Sequence, residues 1–212
     1  MFFINRLGVF SWGYDVSSAI SDLEDKLVAL NDVDRIILLL AASGNKPIKG
    51  ALWLQKELYL IQKAFPQLAE DTGFEPHMFG PYSEIIADEV EQLKESNLME
   101  LRNEQPVLTE NGKKIASVLA EKANKKIIEK INEFKEFMND MSADELLAYT
   151  YFTHEKPEEL EKESIPYKRL LGKRKQLALS LYFNEKISAQ KAAQVAGLDL
   201  EDFLVEVKKA VQ

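Results

Sequence analysis

The chain has 212 residues, of which 46% are hydrophobic and 29% are charged, and its formal net charge is −8. This composition is typical of a globular protein and excludes a disordered or fibrous one. The absence of cysteine excludes a disulfide scaffold, a zinc ribbon, an iron–sulfur site and a thiol nucleophile. No apolar run approaches the roughly eighteen residues that predict a membrane-spanning helix. An acidic chain is also an unusual choice for coating nucleic acid.

Residues 1–32 are predicted to form an N-terminal arm and a helix. Residues 1–14 are rich in aromatic side chains and lack a signal-peptide pattern, so we expect a cytoplasmic protein with no membrane partner. Apolar residues spaced three and four apart predict a helix from Ser17 to Leu30. The helix is expected to end before Asn31.

Residues 33–154 carry the patterns of several helices and one hairpin. The predicted elements in chain order are helices over 33–42, 49–65 and 82–97, strands over 98–102 and 106–109, a long helix over 113–139 and a helix from 142 to 152. Asn103–Gln105 is the predicted turn between the strands, and Thr109 is the predicted cap of the long helix. Helices followed by a two-stranded hairpin are the winged-helix order. We therefore predict a mainly α fold, a winged helix-turn-helix with a short two-stranded wing.

The predicted long helix has a heptad-like seam, in which residues 120, 124, 127, 131, 134, 138 and 141 are spaced four and three apart. Such a seam with one polar position is typical of paired helices. Two interpretations stay open. Ile127, Ile131, Phe134 and Met138 form a dimerisation face, or the same face packs against the winged-helix body.

The charge changes near residue 164, which predicts a domain boundary. Residues 155–164 hold five glutamates around Pro157 and are the predicted acidic linker. Residues 165–212 carry nine basic and five acidic residues. Within them, Ser188 is a predicted helix cap, alanines precede Gly197, and Leu198 and Phe203 fill the bend. Small residues, a glycine and an apolar plug predict a second helix-turn-helix over 165–212.

Two resemblances rest on short motifs. Residues 48–152 resemble YwgA-type proteins and, more distantly, the Panacea (SocA-like antitoxin) domains, through Leu54–Leu60, Phe79–Ser83 and the wing end Leu108–Thr109. Residues 177–208 resemble a small helix-turn-helix family, some members of which are labelled antitoxins. The matching stretches there are Ala178–Tyr182, Lys186–Ser188 and Lys191–Leu198, continuing to Phe203. Both resemblances imply regulation or partner binding, and neither brings a catalytic site.

The distribution of charge opposes DNA binding by one predicted helix and favours it near the C-terminal end of the chain. The predicted helix 82–97 has five acidic residues and one basic residue, so we expect it to stay out of a DNA groove and to act as a scaffold or protein-binding element. Near the tail, a cluster of candidate DNA-binding residues comprises Lys168, Arg169, Lys173, Arg174, Lys175, Gln190, Lys191 and Gln194, joined by Arg102 in the wing. The cluster is either a phosphate footprint or ordinary solvated surface.

Catalysis has little support in the sequence. The two histidines, His77 and His154, lack metal-binding spacing, and no glycine-rich phosphate loop or hydrolase motif occurs. We therefore predict no enzyme activity, no metal and no cofactor. The sequence predicts a dimeric DNA-binding transcription regulator. The alternative is an antitoxin or adaptor-type interaction module that does not bind DNA, with the acidic winged-helix face docking a basic protein.

Overall fold

A computed structural model describes residues 16–64, 66, 72–77, 79–154 and 165–211 of the chain. Within these ranges the protein is mainly helical, with a small two-stranded antiparallel sheet. The elements are α1 (Val16–Ala29), α2 (Asp32–Ala42), α3 (Ala51–Ala64), α4 (Glu84–Glu95), β1 (Met99–Arg102), β2 (Gln105–Leu108), α5 (Glu110–Lys122), α6 (Lys125–Asn139), α7 (Ala143–His154), α8 (Ile165–Leu171), α9 (Arg174–Phe183), α10 (Ala189–Ala196) and α11 (Leu200–Val211). The predicted arm 1–14 and linker 155–164 lie outside the described residues.

The chain forms two compact units, Met1–Leu30 and Asn31–Gln212. The described part of the first unit is α1, where Lys26 and Asp22 form an ion pair of 2.9 Å one turn apart. In the second unit α2 is the central helix, and α4, α5 and α6 pack against it. Its apolar residues are buried because it is covered on several sides.

Local hydrogen bonds define where most helices begin. At α2 the Asn31 side chain accepts from the Asp34 amide at 2.9 Å, while the Asp34 carboxylate accepts from the Asn31 amide at 3.1 Å. The predicted caps at Thr109 and Ser188 are confirmed, since each hydroxyl accepts a hydrogen bond from an amide three residues later. Ser142 and Glu145 form a capping box at the start of α7, in which the side chain of each accepts from the backbone amide of the other.

The hairpin is tighter than predicted. β1 pairs with β2 in a register that places Met99 opposite Leu108 and Arg102 opposite Gln105. The turn is therefore two residues long, and Gln105 belongs to β2 instead of the turn. Asn103 and Glu104 both have positive φ, at 52° and 64°. Positive φ at both central residues is the conformation that matches the twist of a short hairpin.

The predicted long helix 113–139 is wrong, because the structure divides it into α5 and α6. Ala123 is extended, with ψ at 156°, and Asn124 caps α6 by accepting from the Lys126 amide at 2.9 Å. Asparagine competes with the helix for backbone hydrogen bonds, which favours a cap over a helix interior. The polar position of the seam is thus a helix start.

The remaining seam residues pack inside the chain itself. Ile131 is 2% exposed and Met138 is fully buried, and the Trp53 Nε1 of α3 donates to the Met138 carbonyl at 3.3 Å. Ile127 and Phe134 are half-buried. Ile131 and Met138 are therefore unavailable to a second copy, which corrects their assignment to a dimerisation face.

The C-terminal helices share a core with α7. α10 packs against α7, α9 and α11, and its alanines at 192, 193 and 196 are buried. Gly197 adopts φ 71° at the bend, and Phe203 is fully buried with its ring edge-on to Tyr182. Buried residues from both sides of the predicted linker, such as Met138 and Ala192, belong to one cluster. The division at 155–164 stays a prediction. α8 lacks a clear pattern in the sequence and was not predicted.

Candidate functional site

The loop before α4 is held by a glutamine in the middle of α3. The Gln55 side-chain amide donates to the Ser83 carbonyl at 2.9 Å and accepts from the Ser83 amide at 2.9 Å. Ser83 in turn caps α4, because its hydroxyl accepts from the Ile86 amide at 3.1 Å and donates to the Thr72 carbonyl. The start of α4 is thus fixed by a fully buried polar network.

The same loop is held at a second point. Lys56 is 1% exposed, and its Nζ donates to the Pro81 carbonyl at 2.5 Å. Gly80 adopts φ 78°, and a Cβ there would lie 2.2 Å from Cε1 of Tyr151 in α7. Glycine is therefore required by both backbone and space. The two sequence motifs Leu54–Leu60 and Phe79–Ser83 are parts of one contact.

α4 carries a continuous acidic face, which we call the acidic stripe. Its members are exposed and spaced four, three and four residues apart, which places them on one side of a helix: Glu84, Asp88, Glu91 and Glu95. At 1.5 Å per residue the stripe is about 16 Å long. Lys94, the one basic residue of α4, pairs with Glu91 at 2.6 Å, and Ile85 beside the stripe is 41% exposed.

The predicted basic cluster is divided between surface and structural roles. Arg174 is half-buried, its Nε donates to the Val195 carbonyl at 2.8 Å, and its guanidinium lies 4.2 Å from the Phe152 ring centroid. Arg169 forms two hydrogen bonds of 2.6 Å with Asp144, which lower the pKa of that carboxyl. Both arginines are therefore engaged with the protein itself.

The other predicted DNA-binding residues are spread over several elements. Lys168, Lys173 and Lys175 are exposed around the start of α9, and Gln190 is exposed on α10. Lys191 donates to the Gln194 side chain at 3.2 Å, and Gln194 donates to the Thr153 carbonyl at 3.3 Å. Arg102, in the hairpin, is paired with Glu100. Among the exposed basic members, the three lysines Lys168, Lys173 and Lys175 form no ion pair with another residue in the described part of the chain.

Sequence reasoning missed two buried titratable side chains, Glu57 in α3 and Lys135 in α6. Glu57 is fully buried, and burial raises its pKa to about 8 against the opposing charges of Lys135 and Lys49. Lys135 is 2% exposed, its Nζ donates to the Leu40 carbonyl at 2.6 Å, and burial lowers its pKa to about 8. The run Gln55–Glu57 inside an apolar helix was the signal that a polar interior lies here.

The tail helix α11 has an apolar face of the same spacing as the acidic stripe. Leu200 is 42% exposed, Leu204 38% and Val211 73%, while Val207 is half-buried. Asp199, Glu201 and Asp202 lie at its start, and the Asp199 carboxylate accepts from the Asp202 amide at 2.8 Å. These carboxylates suit the positive end of the helix and oppose a phosphate there.

Metal-ligand clusters and membrane-spanning helices are absent from the described residues. In those ranges no three histidine, aspartate or glutamate side chains come together as metal ligands, and none of the helices is long and apolar enough to cross a bilayer. Comparison of the chain with protein-family models, with curated proteins and with solved structures gives no match. The resemblances to YwgA-type, Panacea and small helix-turn-helix proteins therefore stay predictions.

Proposed function

We propose that the protein is an adaptor or antitoxin-type interaction module that docks a basic partner protein on the acidic stripe of α4. The observation that carries this proposal is the alignment of four exposed carboxylates on one helix face. A row of like charges attracts an oppositely charged surface and repels a phosphate backbone. The exposed Ile85 adds an apolar contact at the edge of the stripe.

Rigidity of the stripe supports this role. Gln55 and Lys56 hold the chain on the N-terminal side of α4, so the stripe does not have to be ordered when the partner arrives. A pre-organised surface loses less conformational entropy on binding. The order α2, α3, α4, β1, β2 fits our proposal that this part is a winged helix-turn-helix, in which α4 would occupy the position that reads DNA in other proteins. An acidic helix at that position favours a protein partner.

A matched pair of charge-reversal variants tests the proposal. We expect a stoichiometric partner that co-purifies with the wild-type chain from its natural host to be lost from Asp88→Lys/Glu95→Lys. Glu121→Lys/Glu129→Lys changes the net charge equally at exposed positions of α5 and α6 and should retain the partner. Added salt should weaken the wild-type complex. A partner retained by the α4 variant, or lost equally from both variants, contradicts the proposal.

A second candidate function is DNA binding by a dimeric regulator. The observation that favours it is the exposure of Lys168, Lys173 and Lys175 around the start of α9. A gel-shift series with genomic fragments at increasing salt is the test. Binding that falls with salt, and that falls further when these three lysines are changed to alanine, supports this function. Negligible binding at low salt removes it.

A further inference from the structure

The apolar face of α11 lies beside a cleft and has a defined charged border. Leu200, Leu204, Val207 and Val211 are spaced four, three and four apart, so they form one stripe along the helix. Next to Val207 is a cleft of about 600 Å³ whose apolar lining includes Tyr182, Phe183 and Ile187. Phe183, at the end of α9, is 45% exposed.

Along one border of this stripe, the charge changes sign between the start of α11 and its end. Since a helix turns roughly 100° per residue, Glu201 and Lys208 lie on the same side of the stripe, seven residues apart. Both are exposed, and neither forms an ion pair with another residue in the described ranges. The opposite border is formed by Phe203, which faces the core. The open border is therefore acidic at the start of the helix and basic near its end.

We propose that α11 binds the α11 of a second copy of this chain in an antiparallel arrangement. Antiparallel pairing brings the same border of both helices together, so Glu201 of each copy lies near Lys208 of the other. A two-fold axis near the middle of the stripe places Leu204 of one copy opposite Val207 of the other, at the mouth of the cleft. A parallel pair brings Glu201 against the core-facing border instead and gains no such ion pairs. The surface is thus complementary to itself.

This inference is independent of the acidic stripe on α4, because the two faces belong to different helices. It also replaces the dimerisation face predicted on α6, whose central residues are buried. A single helix pair buries less than the roughly 1,200 Å² of a standard interface, so we expect a weak, concentration-dependent dimer. Each of the two equivalent ion pairs contributes modestly because all four groups are solvent-exposed.

The test is sedimentation equilibrium of the full chain. We expect Leu204→Glu to raise the dimer dissociation constant by about tenfold or more, because a carboxylate enters the centre of the stripe. Val205→Glu is the matched control, because Val205 is 47% exposed but lies about 100° around the helix from Leu204, outside the apolar stripe. It should leave the dimer unchanged. Circular dichroism establishes that both variants are folded.

The charge border has its own test. Glu201→Lys and Lys208→Glu should each weaken the dimer about fivefold at low salt, because each places two like charges together. The double variant should recover most of the wild-type affinity. A wild-type chain that remains monomeric up to about 1 mM, equal effects of Leu204→Glu and Val205→Glu, or no recovery in the double variant would each overturn the proposal. None of these readings depends on whether α4 binds a partner.

Discussion

The Gln55 side-chain amide pairs with both backbone groups of Ser83: its nitrogen donates to the Ser83 carbonyl and its oxygen accepts from the Ser83 amide, each at 2.9 Å. The two residues are 28 positions apart, and both are buried. The contact joins the middle of α3 to the first residue before α4. The position of the acidic stripe therefore depends on a residue that does not belong to it.

We expect Gln55→Leu to lower the free energy of unfolding by about 2–4 kcal/mol, since two buried backbone groups lose their partners. Urea denaturation measures the change. The same substitution at Gln92, an exposed residue of α4, should change stability by less than about 0.5 kcal/mol. Equal effects at the two positions would show that the network around Ser83 contributes little.

Gly80 gives a second prediction, on steric grounds. Gly80→Ala combines a positive φ with a Cβ 2.2 Å from the Tyr151 ring, so we expect a loss of about 3 kcal/mol or more. Gly44 is the control, because it has φ 64° and open space around its Cβ. Gly44→Ala should cost about 1–2 kcal/mol. Thermal unfolding of both variants separates the backbone strain at positive φ, which both share, from the steric clash with Tyr151, which only Gly80→Ala has. An equal loss of stability in the two variants would refute the close approach of Tyr151.

The raised pKa of Glu57 makes the free energy of unfolding depend on pH. Its pKa is raised to about 8 in the folded chain from 4.5, so folding takes up a proton between these values and stability falls as pH rises. Burial lowers the pKa of His154 to about 4 from 6.5, which has the opposite effect below pH 6.5. This opposition fades above pH 6.5, but Lys135 opposes Glu57 toward pH 8, because burial lowers the pKa of its amine to about 8 from 10.5.

Between pH 6.5 and 7.5 we expect the wild-type free energy of unfolding to fall by about 1 kcal/mol per pH unit, because His154 and Lys135 offset part of the effect of Glu57. Glu57→Gln removes this titration, so its stability should not fall in that window and should rise toward pH 8 as the buried Lys135 amine loses its proton. Urea denaturation at several pH values provides the measurement. Identical slopes for the two chains would mean that Glu57 ionises normally in the folded state.

Arg174 tests whether the basic cluster is partly structural. Arg174→Lys keeps the charge but loses the planar group that stacks on Phe152 and bonds the Val195 carbonyl. We expect a loss of about 2 kcal/mol, with faster hydrogen exchange in α10. Lys173→Ala, at the neighbouring exposed position, should be nearly neutral. Similar stabilities for the wild type, Arg174→Lys and Lys173→Ala would show that Arg174 has no structural role and is an ordinary member of the basic cluster.

Local signals predicted most of the second unit, and long-range contacts account for what was missed. Thr109 and Ser188 were predicted as caps because a cap needs only residues three positions away. The break at Asn124 was missed because a heptad spacing does not report whether the helix continues. Lys135 was missed because its acceptor, the Leu40 carbonyl, is 95 residues distant. Exposure on α11 likewise depends on which face α10 covers.

The burial of Lys56 and Lys135 has a practical consequence. Amine-reactive reagents need a solvent-accessible, neutral amine, and these two residues are 1% and 2% exposed, with their amines bonded to main-chain carbonyls. Acylation at either position therefore reports an opening of the structure, while the surface lysines are labelled in every state. Mass spectrometry of a brief labelling pulse would follow the unfolding of this protein without an added fluorophore.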